Sequence, residues 1–476
     1  MIINLVWFRS DLRVRNNPAL YFACKNNESI VLALFILSSK QQKLNVFSDK
    51  KISLIYKNII ALSKELRKLN IILYYYESTT FLKSINYLVQ FCKKNKVNNL
   101  YYNYEYGFFH QKRDIMAMKI LKNHSIFSYG FHGSTLIQPG KITNKTGNMY
   151  KKYSFFKKKC IQMLEKKQLN YIFTIKKRKK IVNNLNYKIS SFHFSFKKFN
   201  EQLFPIGEKK VIKKLKLFLK NKLNNYNSNH NSILLNSTSM ISAHLSIGVL
   251  SPLQCLSLLF KYHARTHKYS IEKCSWINEL IWREFFKHLL YFYPLLYKET
   301  TLCNWEKNIT WKSNTKHFNA WKTGKTGFPI VDASMRQLNQ IGWIHNRLRM
   351  ITASFLVKNL LINWKKGEKY FMSQLIDGDL ALNNGGWQWI SSVGSDSVPY
   401  FRIFNPILQS KKFDPKGIFI KKYIPELKKI SSVSIHDPSL WNKKVKKEIN
   451  YPQPIVDFSH SRKEALTIFR RAKYKL

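Results

Sequence analysis

A chain of 476 residues exceeds one ordinary core, so two or three domains are expected. Lys and Arg number 81 against 26 Asp and Glu, and the resulting net charge of +55 favours polyanions, nucleic acid first and an anionic membrane second. No apolar run approaches the roughly 20 residues of a membrane-spanning helix, and Arg9, Asp11 and Arg13 come too early for a secretory leader, so a cytoplasmic protein is expected, with no membrane partner.

Residues 1–135 alternate in character. The apolar runs INLVWF (3–8), SIVLALFIL (29–37), NIILYYY (70–76), NLYYN (99–103) and IFSYGF (126–131) read as buried strands. Between them, segments such as 52–69 carry apolar residues at helical spacing, with Leu54, Ile55, Ile59, Leu62 and Leu66 on one stripe. Strand–helix alternation predicts a parallel sheet covered by helices. The first strand is not followed by G-x-G-x-x-G, so the usual dinucleotide fingerprint is missing.

Residues 136–225 are lysine-dense and poorly patterned, and read as a linker that ends in a short helix. Lysine is frequent in loops throughout, as in KNKLNNYNSNHNS (220–232). Such compositional drift makes the surviving acidic residues more informative than the basic ones. The six cysteines form no CxxC pair and read as buried free thiols.

From Tyr226 onward helical patterns dominate. In WINELIWREFFKHLLYFY (276–293), Trp276, Glu279, Trp282, Arg283 and Phe286 fall on one arc. A stripe facing a plain core should not hold Glu and Arg. Two indoles beside a carboxylate and a guanidinium suit a flat ligand with polar edges, although a buried ion pair lined by aromatics has the same composition. Residues 337–361 are helix-period or continuous apolar, and a helix over 343–354 puts Trp343, Asn346, Arg347, Met350 and Ser354 on a second such stripe. STSMIS (237–242) offers hydroxyls and backbone N–H groups at a helix start, suited to a phosphate or to simple capping. DGDLALNNGGWQW (377–389) places two carboxylates in a loop, and NNGG predicts a bend. A DxD pair can bind Mg²⁺ or hold hydroxyls and N–H donors of a cofactor. GKT (324–326) is not a phosphate loop, because Asn319 stands where the pattern needs Gly. Neither H-E-x-x-H nor G-x-S-x-G occurs, so conventional hydrolase chemistry has no foothold.

The segments WINELIWREFFKHL, KTGFPIVDASMRQLNQIGWIHNRLRMITASFLVKNLL, DGDLALNNGGWQW and PYFRIFNP, with N-terminal LVWFRSDLRVRNNPAL, closely resemble the photolyase/cryptochrome family, and within it the bacterial cyclobutane pyrimidine dimer photolyases. The resemblance covers nearly the whole chain and is weakest over 140–225. It implies an α/β plus all-α architecture: a Rossmann-like, antenna-type parallel-sheet domain (1–135), the lysine-rich linker (136–225) and a helical FAD- and DNA-binding catalytic domain (226–476). It implies light-driven repair of UV-damaged DNA, in which excited, fully reduced FAD passes an electron to a flipped-out dimer and recovers it. Monomeric action follows from the same likeness.

Residue by residue, the resemblance assigns Tyr226, Thr238, Ser239, Met240, Ile241 and Ser242 to the FAD phosphates, with Met240 where relatives carry an Arg. Trp276, Asn346, Arg349, Asp377, Gly378 and Asp379 fall at flavin contacts, with Asn346 facing N5 and Arg349 paired to Asp377; no metal is expected. Glu279, Trp282, Asn346 and Met350 are assigned to the reaction itself, Trp282 by stacking on the dimer and Glu279 by bonding its base edge. Asn278 and Gln409 fall among lesion and DNA contacts, with Arg347, His230 (an Arg in relatives) and the run Glu279, Leu280, Ile281, Trp282, Arg283, Glu284, Phe285 and Phe286. Trp387, Trp364 and Trp311 match a three-tryptophan electron relay. A methenyltetrahydrofolate antenna is expected to bind weakly or not at all, because Phe109 and His110 replace an amide and a carboxylate, while Lys298 is kept. The alternatives implied are a cryptochrome-type light sensor without repair, or a drifted nonspecific DNA-binding protein. Retained Trp282, Glu279 and Met350 speak against the first, and the intact DGD and Asn346 segments against the second.

Overall fold

The computed structural model describes residues 1–38, 47–166, 173, 175–178, 198–234, 237–263, 271–298, 300–441 and 449–474. Much of the expected linker, 179–197 included, lies outside them. The chain divides into two compact units that interleave in sequence. One comprises Met1–Asn224, Ser239–Tyr297 and Asp379–Ala381; the other comprises Asn225–Thr238, Lys298–Gly378 and Leu382–Leu476. The first break between the units, Asn224 to Asn225, falls beside the division read at 225.

The first unit is built on five parallel strands, β1 (Ile3–Phe8), β2 (Ile30–Ser38), β3 (Ile72–Ser78), β4 (Asn99–Asn103) and β5 (Phe127–Phe131), in the order β3-β2-β1-β4-β5. Each expected run forms its strand. Continuous apolar runs arise because helices cover the sheet: Leu5, Trp7, Leu32, Leu34 and Leu100 pack with Ile85, Leu88 and Leu121 of the intervening helices. The helix Asp49–Arg67 is capped by Ser48, which accepts from Lys51 N, and buries Leu54, Ile59, Leu62 and Leu66. β1 pairs with β2 on one side and β4 on the other, so the strand order reverses there. The loops after β1 and β4 meet in an ion network: Arg9 bonds Asp114 at 2.6 Å, Arg113 bonds Glu105 at 3.0 Å, and Ser10 donates to Glu105 at 2.5 Å. Within the expected linker, the helices Tyr153–Glu165 and Glu208–Asn221 form.

The second unit is helical around an apolar core that includes Trp321, Leu348, Phe355, Trp364, Phe371, Trp387 and Phe469. Two expectations are corrected here. The helix expected over 343–354 ends as expected but starts late, and the helical run is divided because Gly342 caps the helix Pro329–Ile341 in the left-handed conformation (φ 79°). A new helix, Asn346–Ser354, starts after His345, whose side chain accepts from Arg347 N, and Trp343 falls in the connection. Nor does NNGG bend the chain: it lies inside the helix Leu380–Ile390. Asn383 and Asn384 donate to the Glu368 carbonyl and carboxylate, which anchors that turn despite its glycines. Among the described residues all six cysteines are free thiols, no acidic, His or Cys cluster could hold a metal, and no helix is long and apolar enough to cross a membrane.

Candidate flavin- and lesion-binding residues

In the first unit the helix Ser275–Phe292 carries most of the predicted side chains. Trp276 is buried, its Nε1 3.3 Å from Ser239 Oγ and its ring tilted against Phe218 at 5.5 Å. Glu279 is exposed, and Trp282 and Phe286 are half-buried. The single stripe therefore splits. Leu280, Ile281, Arg283, Glu284 and Phe285, expected at DNA, are buried. Arg283 donates to the Ser134 carbonyl at 2.7 Å, and Glu284 accepts from Leu136 N at 2.7 Å. Burial pushes the Glu284 carboxyl up to about 7, against the pull of Arg283. Arg283 and Glu284 thus fasten the 134–137 loop to the helix. Asn278, like Trp282 and Phe286, is half-buried on the same helix.

Two residues escaped sequence reasoning. Tyr153 lies on Trp282 with ring centroids 3.5 Å apart and planes 5° from parallel. Lys287 bonds Asp379 at 2.6 Å. Burial opposes ionisation of Asp379, yet Lys287 and Arg283 prevail and draw it down to about 2. Lys287 directly follows Phe286 on the helix, and sequence spacing carries no signal for its partner. In the same unit Met240 adopts φ 48°, and Lys214 Nζ lies 3.3 Å from its carbonyl. Ser239, Met240 and Ser242 are half-buried, Ile241 is buried, and Ser242 opens the short helix Ser242–Ser246.

In the second unit Arg349 bonds Asp377 at 2.8 Å, as expected from the resemblance, and also donates to the Ile344 carbonyl. The second carboxylate oxygen, Asp377 Oδ1, is buried without a hydrogen-bond partner among the described residues. Ile376 N bonds the Gly342 carbonyl at 2.8 Å, which ties the DGD loop to the turn before Asn346. Asn346 is exposed at the helix start, and Arg349 and Met350 are half-buried on the same helix. His345 accepts from Arg347 N at Nδ1 and donates from Nε2 to the His230 carbonyl, and burial lowers it to about 4. Arg347 bonds Asn231 Oδ1 at 2.6 Å. His230 keeps both ring nitrogens on its own segment, at Tyr226 and Asn227 carbonyls and Asn231 Nδ2. Tyr226 is buried against the His230 ring, and Thr238 and Gln409 are half-buried.

Of the relay candidates, Trp387 and Trp364 are buried and Trp311 is half-exposed beside Phe469. Trp387 contacts Phe371 at 5.0 Å and Trp321 at 6.2 Å, and Trp321 is a further tryptophan that spacing did not single out. At the antenna positions, Phe109 packs on Phe108 and His110 packs edge-on to Phe81 with Nε2 3.8 Å from Glu105. Burial lowers the His110 imidazole; the Glu105 carboxylate resists burial and lies far below its usual range through His110 and Arg113. That carboxylate is thus engaged by its own neighbours. Lys298 ends a short 3-10 helix, and its side chain lies outside the described residues.

Comparison with known proteins gives the context for these side chains. Residues 4–171 match the DNA photolyase model and residues 276–471 the model of the FAD binding domain of DNA photolyase. A deoxyribodipyrimidine photo-lyase of Buchnera aphidicola subsp. Baizongia pistaciae is 55% identical, with 99% of each chain covered. The chain belongs to the DNA photolyase family. The Escherichia coli deoxyribodipyrimidine photo-lyase is 40% identical over 99% of both chains. A bacterial class III photolyase from Agrobacterium tumefaciens shares the photolyase fold with TM-score 0.86 at 30% identity, covering 100% of this chain and 98% of that one. The photolyase fold accounts for the sheet unit followed by helices, and the FAD-binding model spans Trp276, Asn346, Arg349 and the DGD loop.

Proposed function

We propose that this chain repairs cyclobutane pyrimidine dimers in DNA, using light and reduced FAD. The observation that carries the reading is the outward face of the Ser275–Phe292 helix, where an exposed carboxylate, Glu279, stands beside the half-buried Trp282 indole. A flipped-out dimer needs a flat apolar surface and a polar group for its base edge, and these two side chains supply both.

The residues present fit FAD. Asp377 Oδ1 is a buried acceptor still without a donor, which an N–H or O–H group of the cofactor would satisfy. Arg349 fixes the other oxygen and so the orientation of the carboxylate. Asp379, held ionised by Lys287, is assigned to the flavin as well, as are Trp276, Asn346 and Gly378. Thr238, Ser239 and Ser242 supply hydroxyls for the phosphates, and Tyr226 is assigned to the same part of the cofactor. Where Met240 replaces a guanidinium, Lys214 brings a cation to the same backbone. Bound FAD supplies the photoexcitable electron donor. The chain's own part is to hold that donor, to exclude water with Trp276 and Met350, and to present the lesion on Trp282 with Glu279 at its edge.

Trp387, Trp364 and Trp311 are assigned to flavin photoreduction, supported by their passage from buried to half-exposed. Arg347, Gln409 and the His230 segment are assigned to the DNA backbone. A folate antenna is not assigned, since His110 turns to Glu105 and Phe109 to Phe108. The functional division follows an antenna-type domain 1–135, a connecting segment 136–225 and a catalytic domain 226–476, acting as a cytoplasmic monomer. The test is direct. Purified protein should show flavin absorbance and, under near-ultraviolet or blue light, restore a dimer-containing oligonucleotide. Flavin without repair would turn the reading towards a light sensor, and absence of flavin would refute it.

A further inference from the structure

We infer that Tyr153 is a positioning residue of the lesion-binding wall, acting through Trp282. This inference rests on the reading of Trp282 as the stacking surface for the dimer. The Tyr153 ring lies flat on one face of the indole, 3.5 Å between centroids and 5° from parallel. Its hydroxyl donates to the Asn278 carbonyl at 3.1 Å, one turn before Trp282 on the same helix. Three residues further on, Phe156 is fully buried, edge-on to Phe285 at 5.3 Å and to His288 at 5.1 Å. The first turn of the Tyr153–Glu165 helix is therefore anchored at both its polar and its apolar end. Phe285 meets the indole edge-on at 5.7 Å, and Phe286 lies 5.8 Å away at 27°.

The consequence is geometric. One indole face is closed by Tyr153, so a stacked base has a single face to choose. The indole is also held in its plane before any ligand arrives, which removes rotamer freedom that binding would otherwise have to freeze. A serine, lysine or aliphatic residue at position 153 would leave the indole free to turn. Tyr153 meets the wall through this stack and the carbonyl of Asn278, with the Glu279 carboxylate in electrostatic reach, and its assigned effect belongs to recognition rather than to the chemical step.

The experiment measures dark binding of the FAD-loaded protein to an oligonucleotide with one cyclobutane dimer and to its undamaged counterpart. Tyr153→Leu should lower dimer affinity by about 5–10-fold, the range of one aromatic pair plus lost preorganisation, leaving undamaged-strand affinity and flavin content unchanged. Tyr153→Phe, which keeps the ring, should restore discrimination to within about twofold. In a Trp282→Ala background, Tyr153→Leu should add nothing. Wild-type discrimination in Tyr153→Leu, equal loss in Tyr153→Phe, or a further loss in the Trp282→Ala background would each overturn the inference while leaving Trp282 in its role. Wild-type discrimination in Trp282→Ala alone would remove the underlying reading and the inference with it. Should Tyr153→Leu fail to retain FAD, Tyr153→Met, of similar bulk without a planar ring, replaces it with the same outcomes.

Discussion

Asp377 shows how one side chain can be both fixed and unfinished. One oxygen is bonded by Arg349 at 2.8 Å, and the other is buried without a partner among the described residues. Removing the guanidinium leaves a buried carboxylate without its cation, a loss worth about 1.5–3 kcal/mol for a charged hydrogen bond, and less here because Arg349 is partly exposed. Arg349→Leu should therefore lower FAD retention by about tenfold, read as the ratio of flavin to protein absorbance after dialysis. Full occupancy would mean that Asp377 does not depend on this partner. Asp379 makes the complementary case. Its folded pKa, about 2, lies below the ordinary 3.8, so its contribution to stability is complete above about pH 4 and is lost as pH falls towards 2. Lys287→Met removes the main attraction and leaves burial, which raises the carboxyl. The acid-unfolding midpoint should then move up by about one pH unit, followed by circular dichroism across an acid titration.

Elements explain why predicted stripes divide. At 100° per residue Trp276, Arg283 and Trp282 share an arc, yet Trp276 and Arg283 turn into the interior and Trp282 out. Periodicity gives a direction on the helix, but which part of an arc meets solvent depends on what packs there, in this case the 134–137 loop and the Tyr153–Glu165 helix. The Trp364–Gln374 helix shows a tighter constraint. A Cβ on Gly367 would fall 2.3 Å from Trp387 Cη2 and 2.6 Å from Leu356 Cδ2. Gly367→Ala forces that indole to shift and should cost about 1–3 kcal/mol, measured as a lowered midpoint of thermal or urea unfolding. If Trp387 belongs to the relay, photoreduction of oxidised flavin should slow in the same variant, and an unchanged midpoint would show that the contact can relax.

At the scale of the whole molecule the charge of +55 and the few groups assigned to the lesion do different work. Lysines that neutralise phosphates release counterions, and each contact adds about −0.9 to the slope of log K against log salt. Stacking on Trp282 and the Glu279 contact to a base edge release none. Affinities for damaged and undamaged duplex should therefore fall with parallel slopes as salt rises, and their ratio should stay flat. Binding measured from low to moderate salt tests this; a ratio that collapses with salt would place damage recognition on the basic surface instead.

The strands were legible because a sheet covered on both faces demands unbroken apolar runs, and INLVWF or NLYYN can satisfy little else in so short a length. The aromatic and acidic content of the candidate site was legible for a related reason: Glu279, Asp377 and Asp379 persist in a chain crowded with lysine. The helix break at Gly342 had a local signal in the glycine itself, whereas the helical NNGG contradicted its own propensity and was decided by Glu368. Pairing was the part that spacing could not supply. Tyr153 on Trp282, Lys287 on Asp379 and Ser134 on Arg283 join residues far apart in the chain. Such contacts follow from where whole elements pack, so the sequence by itself determined which chemistry is present, and only the tertiary structure decided which groups hold one another and which are left to face a ligand.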